Sequence, residues 1–154
     1  MKSLKMLLIA ILLLIPIGVV AQNNSNPVVE VIYFHGPQRC KTCVELEKVA
    51  KETVNSKFGS QVKSGKISFK TVDVGTSAGE KIADKYEVAW SALVIVRKDG
   101  KKEKYVDLTK DGFKYAVKDP DKLKGIIANQ ISAYLKYWIS IGYRIGSIRA
   151  RLRL

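Results

Sequence analysis

Hydrophobic and polar positions change period several times along the chain, and each change marks an element. Val28 to Phe34 is β-branched and aromatic with one charge at Glu30, the pattern of a strand buried on both faces, which predicts a central, parallel position in a sheet. From Cys43 to Phe58, apolar Leu46, Val49, Ala50, Val54 and Phe58 recur at helical spacing. Glu47/Lys51 and Lys48/Glu52 are expected as i,i+4 pairs on the polar side, and Gly59 as the stop. Lys66 to Val74 carries Ile67, Phe69, Val72 and Val74 in imperfect alternation, a second strand. Ser77-Ala78-Gly79-Glu80 fits the Ser-x-x-Glu capping pattern and predicts a short helix to about Tyr86. Leu93 to Val96 and Tyr105 to Leu108 flank Asp99-Gly100, a hairpin signal whose surrounding lysines predict a turn longer than two residues. Asp119-Pro120 sets a capping side chain before a proline at the first helical position and opens a final helix. The order β-α-β-α-β-β-α predicts an α/β sandwich with a mixed central sheet flanked by helices.

Residues 1–21 stand apart from this pattern. Lys2 and Lys5 precede an unbroken apolar run from Met6 to Ile15, and Val19-Val20-Ala21 offers small residues before a cut, so the segment reads as a secretory signal peptide. As a retained anchor, Met6 to Ala21 is too short, because a spanning helix needs ~20 apolar residues, and Pro16 and Gly18 interrupt it. Residues 22–27 form a polar linker, and the mature chain is expected in the periplasm or outside the cell, where thiols meet an oxidising environment.

Length and composition narrow the class further. With 154 residues, 47% of them hydrophobic and 27% charged, the chain suits one globular domain with appendages and excludes a disordered or collagen-like protein. Its two cysteines, Cys40 and Cys43, are three positions apart, so they cannot staple distant parts of a fold and suggest chemistry instead. Cys40 falls where a strand gives way to a helix. Unpaired N–H groups and the positive end of the helix macrodipole stabilise a thiolate there. Arg39 and Lys41 add positive charge on either side, with no carboxylate nearer in sequence than Glu45, so Cys40 is expected to be the attacking sulfur and Cys43, one turn further in, the resolving one.

Other uses of the pair remain to be weighed. Structural zinc needs four ligands, and His35, the single histidine, brings the usual nitrogen and sulfur donors only to three. Covalent haem needs a histidine after the second cysteine, where this chain has Val44. An inert bridge capping a helix stays open, although so short a loop gains little entropy from closure. His35 is expected to pack or hydrogen-bond beside the site rather than act as a base.

Val31-Ile32-Tyr33-Phe34 leading into Arg39-Cys-Lys-Thr-Cys43 and an amphipathic helix resembles the thioredoxin superfamily. Tyr86-Glu87-Val88, then Leu93-Val-Ile-Val96 and Lys98-Asp-Gly100, is similar to that family's third strand and hairpin, and the resemblance covers roughly residues 28 to 135. It implies a thioredoxin fold and thiol–disulfide exchange, with Cys40 as nucleophile, Cys43 as resolving thiol and no bound cofactor. The sequence departs from the family in three places: around the cysteines, before them, and in the substrate loop. Arg39 replaces the usual aromatic residue, and Lys41-Thr42 the usual Gly-Pro. Phe34 stands where a buried acid often takes the resolving thiol's proton, leaving water or His35 for that transfer. The substrate loop that usually carries a cis-proline reads Ala89-Trp90-Ser91-Ala92-Leu93, and without proline the Ser91-Ala92 bond is expected to be trans. Trp90 offers an apolar contact beside the site.

Charge is uneven. The formal net charge is +13, and residues 22–154 keep +11, with 25 basic against 14 acidic residues. Residues 122–154 hold seven Lys and Arg and no carboxylate. Leu123, Ile127, Ile131, Tyr134, Trp138, Ile141, Ile145, Ile148 and Leu152 are spaced by three or four, so one helix is expected to carry the closing stripe of the domain into a basic, apolar tail at residues 136–154. Arg144, Arg149, Arg151 and Arg153 beside apolar neighbours suit an anionic membrane surface, and nucleic acid is not expected as a partner. The expected function is extracytoplasmic disulfide exchange with protein or small-molecule thiols. The opposing reading is a binding module on the same fold that holds a metal ion or a partner protein without turnover.

Overall fold

The strand that precedes the cysteines, β1 (Val29–His35), has no exposed residue. It lies between β2 (Ile67–Asp73), which runs parallel to it, and β3 (Ala92–Asp99), which runs antiparallel. The hairpin partner β4 (Lys102–Asp107) closes the order β2-β1-β3-β4. The central position expected for β1 is therefore right, and the sheet is mixed. The computed structural model describes residues 27–151. The expected signal segment and all of the linker but Pro27 lie outside the described residues.

Alternation along β1 divides the core between two faces of the sheet. Val29, Val31 and Tyr33, with Leu93 and Ile95, meet Leu46, Ala50 and Val54 of α1 (Lys41–Lys57) and Leu123, Ile127 and Ile131 of the closing helix. Ile32 and Phe34, with Val72, Val94 and Val96, pack beneath Ala83 of α3 (Ser77–Lys85) and Tyr86. Helices thus cover both faces, and the molecule is a thioredoxin-like sandwich with its cysteine pair at the end of the central strand. Glu30 is buried on the second face, where Lys70 at 2.6 Å and Lys98 at 2.5 Å supply the counter-charge that a buried carboxylate requires. Burial works to raise its pKa, and the two ammonium groups overcome that and hold it below the usual carboxylate range.

Several local expectations are corrected by the structure. Two short helices were not expected, α2 (Gly59–Lys63) and α4 (Thr109–Tyr115). Neither carries an apolar period long enough to read, and α4 contains Gly112, a poor helix former. Gly59 does not stop α1. Phe58 leaves helical geometry at φ −129° to bury its ring, Gly59 opens α2, and Gly65 at φ 72° turns the chain toward β2. The cap of α3 is Thr76 rather than Ser77: its hydroxyl oxygen accepts from the Gly79 N–H at 3.0 Å and donates to the Asp73 carbonyl at 2.9 Å. The hairpin turn is two residues long, Gly100-Lys101, between the paired Asp99 and Lys102. Gly100 adopts φ 64°, which permits the tight turn; of the lysines that argued for a longer one, Lys98 lies on β3, Lys101 in the turn, and Lys102 and Lys104 on the edge strand β4.

The closing helix α5 (Pro120–Arg151) starts as expected, with the Asp119 carboxylate accepting from the Lys122 N–H at 3.1 Å. Its core contacts continue to Tyr134 and Leu135, after which Tyr137, Trp138 and Ile139 are exposed. At that edge Arg97 is buried. Its guanidinium bonds Asp99 at 2.7 Å and lies 3.6 Å from the Tyr137 ring centroid and 5.4 Å from that of Tyr134.

Candidate functional site

The loop Gly36–Arg39 carries the chain from the end of β1 to Cys40, the N-cap of α1. Cys40 is extended at φ −74° and ψ 161°, and its carbonyl accepts the Val44 N–H at 3.1 Å, the first turn of helical hydrogen bonding. Its sulfur takes the place that a serine or aspartate oxygen has in other helices. Sγ accepts the Cys43 N–H at 3.1 Å, so a backbone donor already points at the atom that carries charge after reduction. Cys40 and Cys43 are joined by a disulfide with 5.0 Å between Cα atoms. Cys40 is exposed, whereas Cys43 is 5% exposed beneath the helix. A partner sulfur therefore reaches Cys40 first. From below, the buried Tyr33 hydroxyl donates to the Cys43 carbonyl at 2.8 Å and ties the first turn of α1 to the central strand.

The electrostatics differ from the sequence expectation in one respect. Arg39 does not lend a free charge to Cys40, because its guanidinium is paired with Glu47, two turns into α1. The second oxygen of Glu47 accepts from the Thr71 hydroxyl on β2 at 3.1 Å. The Arg39 guanidinium also lies over the Tyr33 ring, 5.7 Å from its centroid. The bond to Glu47 raises the pKa of Arg39 above its ordinary value. Burial works to raise that of Glu47, and the Arg39 guanidinium, then the Thr71 hydroxyl, hold it below the usual carboxylate range. The expected Glu47/Lys51 and Lys48/Glu52 pairs do not form. Glu47 faces β2 and the returning loop, where the guanidinium meets it, and Lys48 reaches Glu45 at 3.8 Å. Lys41 is exposed in the first turn, which contains no acid.

The remaining predicted residues lie around this centre. His35, at the end of β1, is stacked on Tyr33 with centroids 6.2 Å apart, and its Nδ1 is 3.0 Å from the Gly36 carbonyl oxygen. Phe34 is fully buried against the other face of the sheet, packed near Tyr86, so the position at which the resemblance would set a buried acid is apolar here. Ala92 is paired in register with Phe34, which sets Ser91 and Trp90 beside the end of β1. No peptide bond among the described residues is cis, so Ser91-Ala92 is trans. Trp90 is 76% exposed and approaches Gly36, within 4.0 Å of where a Cβ would stand. On the far side of Lys41, a cleft of about 280 Å³ runs between α1 and the start of α5, with Lys41, Glu45, Val49, Val117 and Lys124 in its walls. Among the described residues no three His, Cys, Asp or Glu side chains gather into a metal-binding group.

Glu47 was missed as part of the site. Eight residues separate it from Arg39, and helical spacing assigns it a local lysine instead; a sequence signal existed only in its position one turn beyond Cys43.

No protein-family model matches the chain, and no curated protein matches it. Among solved structures it is similar to an uncharacterised thioredoxin-like protein from Clostridium perfringens, at 15% identity over 74% of this chain and 90% of that one, with a TM-score of 0.43. It is also similar to a thioredoxin from Thermus thermophilus, at 14% identity over 67% and 73%, TM-score 0.43. A thioredoxin from Wuchereria bancrofti is 22% identical over 68% and 83%, TM-score 0.36. The assignment of the fold rests on this chain's own strand order and helix placement.

Proposed function

We propose that the protein is a thiol–disulfide oxidoreductase that exchanges disulfides with protein or small-molecule thiols outside the cytoplasm. The observation that carries this reading is the asymmetry of the pair: an exposed sulfur that caps a helix, bonded to a buried sulfur one turn away. In the reduced protein the Cys40 thiolate attacks a substrate disulfide. A Cys40–substrate S–S bond forms, the substrate S–S bond breaks, and the departing thiolate takes a proton. Cys43, as thiolate, then attacks the Cys40 sulfur and releases the second substrate thiol. The protein pair loses two electrons and the substrate disulfide gains them; a thiol reductant runs the same steps in reverse.

Equilibrating the purified protein in glutathione buffers and alkylating the free thiols tests this. A reversible couple between about −270 and −120 mV is expected, and a bridge well below about −300 mV would mark a structural disulfide instead. Thiols that react only after metal removal would favour the binding module.

The charged and apolar run of residues 1–21 supports secretion, which a mature N-terminus at Gln22 would establish. The tail supports contact with an anionic membrane surface. α5 continues beyond its last core contacts, Trp138 and Ile139 are exposed at 38% and 64%, and residues 136–154 hold five basic residues and no acid. No helix among the described residues is long and apolar enough to cross a membrane. Binding to vesicles containing phosphatidylglycerol is expected to weaken at high salt and to vanish on truncation after Leu135; salt-insensitive binding, or none, would overturn it.

A further inference from the structure

Arg39 is the residue before the exposed sulfur, and three elements hold its charge in place. The loop from β1 turns its guanidinium across the Tyr33 ring and onto Glu47 of α1, and Glu47 is anchored by Thr71 of β2. The other charged and titratable groups at this end of the sheet are His35 on β1, Lys41 and the Glu45–Lys48 pair on α1, and Asp73 at the end of β2. Asp73 is turned to its own loop, where its carboxylate accepts the Gly75 N–H at 2.9 Å. The Arg39–Glu47 pair is thus the ion pair built directly onto the approach to Cys40.

We infer that this pair sets the redox balance of the Cys40–Cys43 couple, with Glu47 cancelling the charge that Arg39 would otherwise lend to the Cys40 thiolate. The inference rests on the disulfide-exchange reading above. Oxidised, the pair of sulfurs is neutral; reduced, it places negative charge on Cys40, so a net positive charge nearby favours the dithiol and a net negative charge favours the disulfide. While the ion pair is intact its two charges offset one another. The thiolate is then stabilised by the Cys43 N–H, the helix N-terminus and Lys41. Both members of the pair keep partial solvent contact, with side chains 31% and 21% exposed, so the effect of either is screened and modest rather than large.

The sign of each substitution follows from the charge it leaves behind. Glu47→Gln strands a guanidinium beside Cys40. The dithiol-to-disulfide ratio at equilibrium with glutathione is expected to rise threefold to tenfold, the upper figure being ~30 mV for a two-electron couple. Thiolate absorbance near 240 nm should then appear at lower pH. Arg39→Gln strands a carboxylate one turn beyond Cys43, and both readouts are expected to move the other way. The double substitution removes both charges and is expected to return both readouts to within about twofold of the parent. Opposed shifts that cancel in the double variant are something a merely structural contact would not produce, since loss of packing lowers stability in each single variant without splitting their potentials. Shifts of one sign in both single variants, or no shift in either, with the parent exchanging normally, would overturn the inference alone. A parent that does not exchange with glutathione would overturn the functional reading and this inference together. Thermal melts of the four proteins, expected to agree within a few degrees because both side chains lie at the surface, confirm that folded states are compared.

Discussion

Cys40→Ser is expected to reduce disulfide exchange to the uncatalysed rate, whereas Cys43→Ser is expected to stop after one half-reaction, with substrate bound covalently to Cys40. The different outcomes follow from burial and from the helix end. Cys40 is exposed and receives the Cys43 N–H, so its sulfur is both reachable and stabilised as a thiolate. Cys43 is buried under the first turn, with its carbonyl held by Tyr33 and its sulfur bonded to that of Cys40. Without Cys43 nothing internal releases the mixed disulfide. Mass spectrometry of each variant after incubation with an oxidised model protein reads the difference directly: an adduct on Cys43→Ser and none on Cys40→Ser. Adducts on Cys40→Ser alone would reverse the assignment of the two sulfurs.

Gly79→Ala is expected to cost about 3 kcal/mol of stability, combining backbone overpacking with loss of a helix cap. A Cβ at this position would stand 1.8 Å from the Asp73 carbonyl oxygen and 2.9 Å from the Thr76 hydroxyl oxygen that caps α3. The obstacle is backbone, which cannot swing aside as a side-chain tip does, so α3 must lift from the end of β2 or give up its cap. At ~3–4 °C per kcal/mol for a domain of this size, the Tm is expected to fall by about 10 °C. Gly59→Ala is the control. Its Cβ would meet nothing within 4 Å, and its melting temperature should stay within a few degrees of the parent. An unchanged Tm for Gly79→Ala would mean that the junction between β2 and α3 yields easily.

Much of this architecture was legible in the sequence because its long elements carry strong periods. β1, α1 and α5 bury continuous stripes, and the cysteines fall on the boundary between two of those elements, so strand, helix end and sulfur pair were read together. The errors cluster where the deciding interaction is short-range geometry or crosses between elements. Thr76 outcompetes Ser77 as a cap because it can also donate to Asp73, a contact that pattern matching does not see. The two-residue turn at Gly100 depends on one backbone angle. Arg39 looked like an uncompensated charge because its partner lies two helical turns further on, and only the returning loop brings them together. Trp90, in contrast, was set beside the site by the resemblance of its loop, and in the structure its indole is 76% exposed and approaches Gly36.

Arg97 gives ionic strength an unequal grip on the two ends of the closing helix. Its guanidinium is buried, ion-paired with Asp99 and set against the rings of Tyr134 and Tyr137, where salt screens a charge less than it does at the surface. A charge that acts through solvent is different, because ~0.15 M salt shortens its range to about 8 Å and stronger salt shortens it further. On the proposed membrane reading, rising salt therefore weakens the hold of the tail on an anionic surface while the seat of the helix on the sheet stays closed.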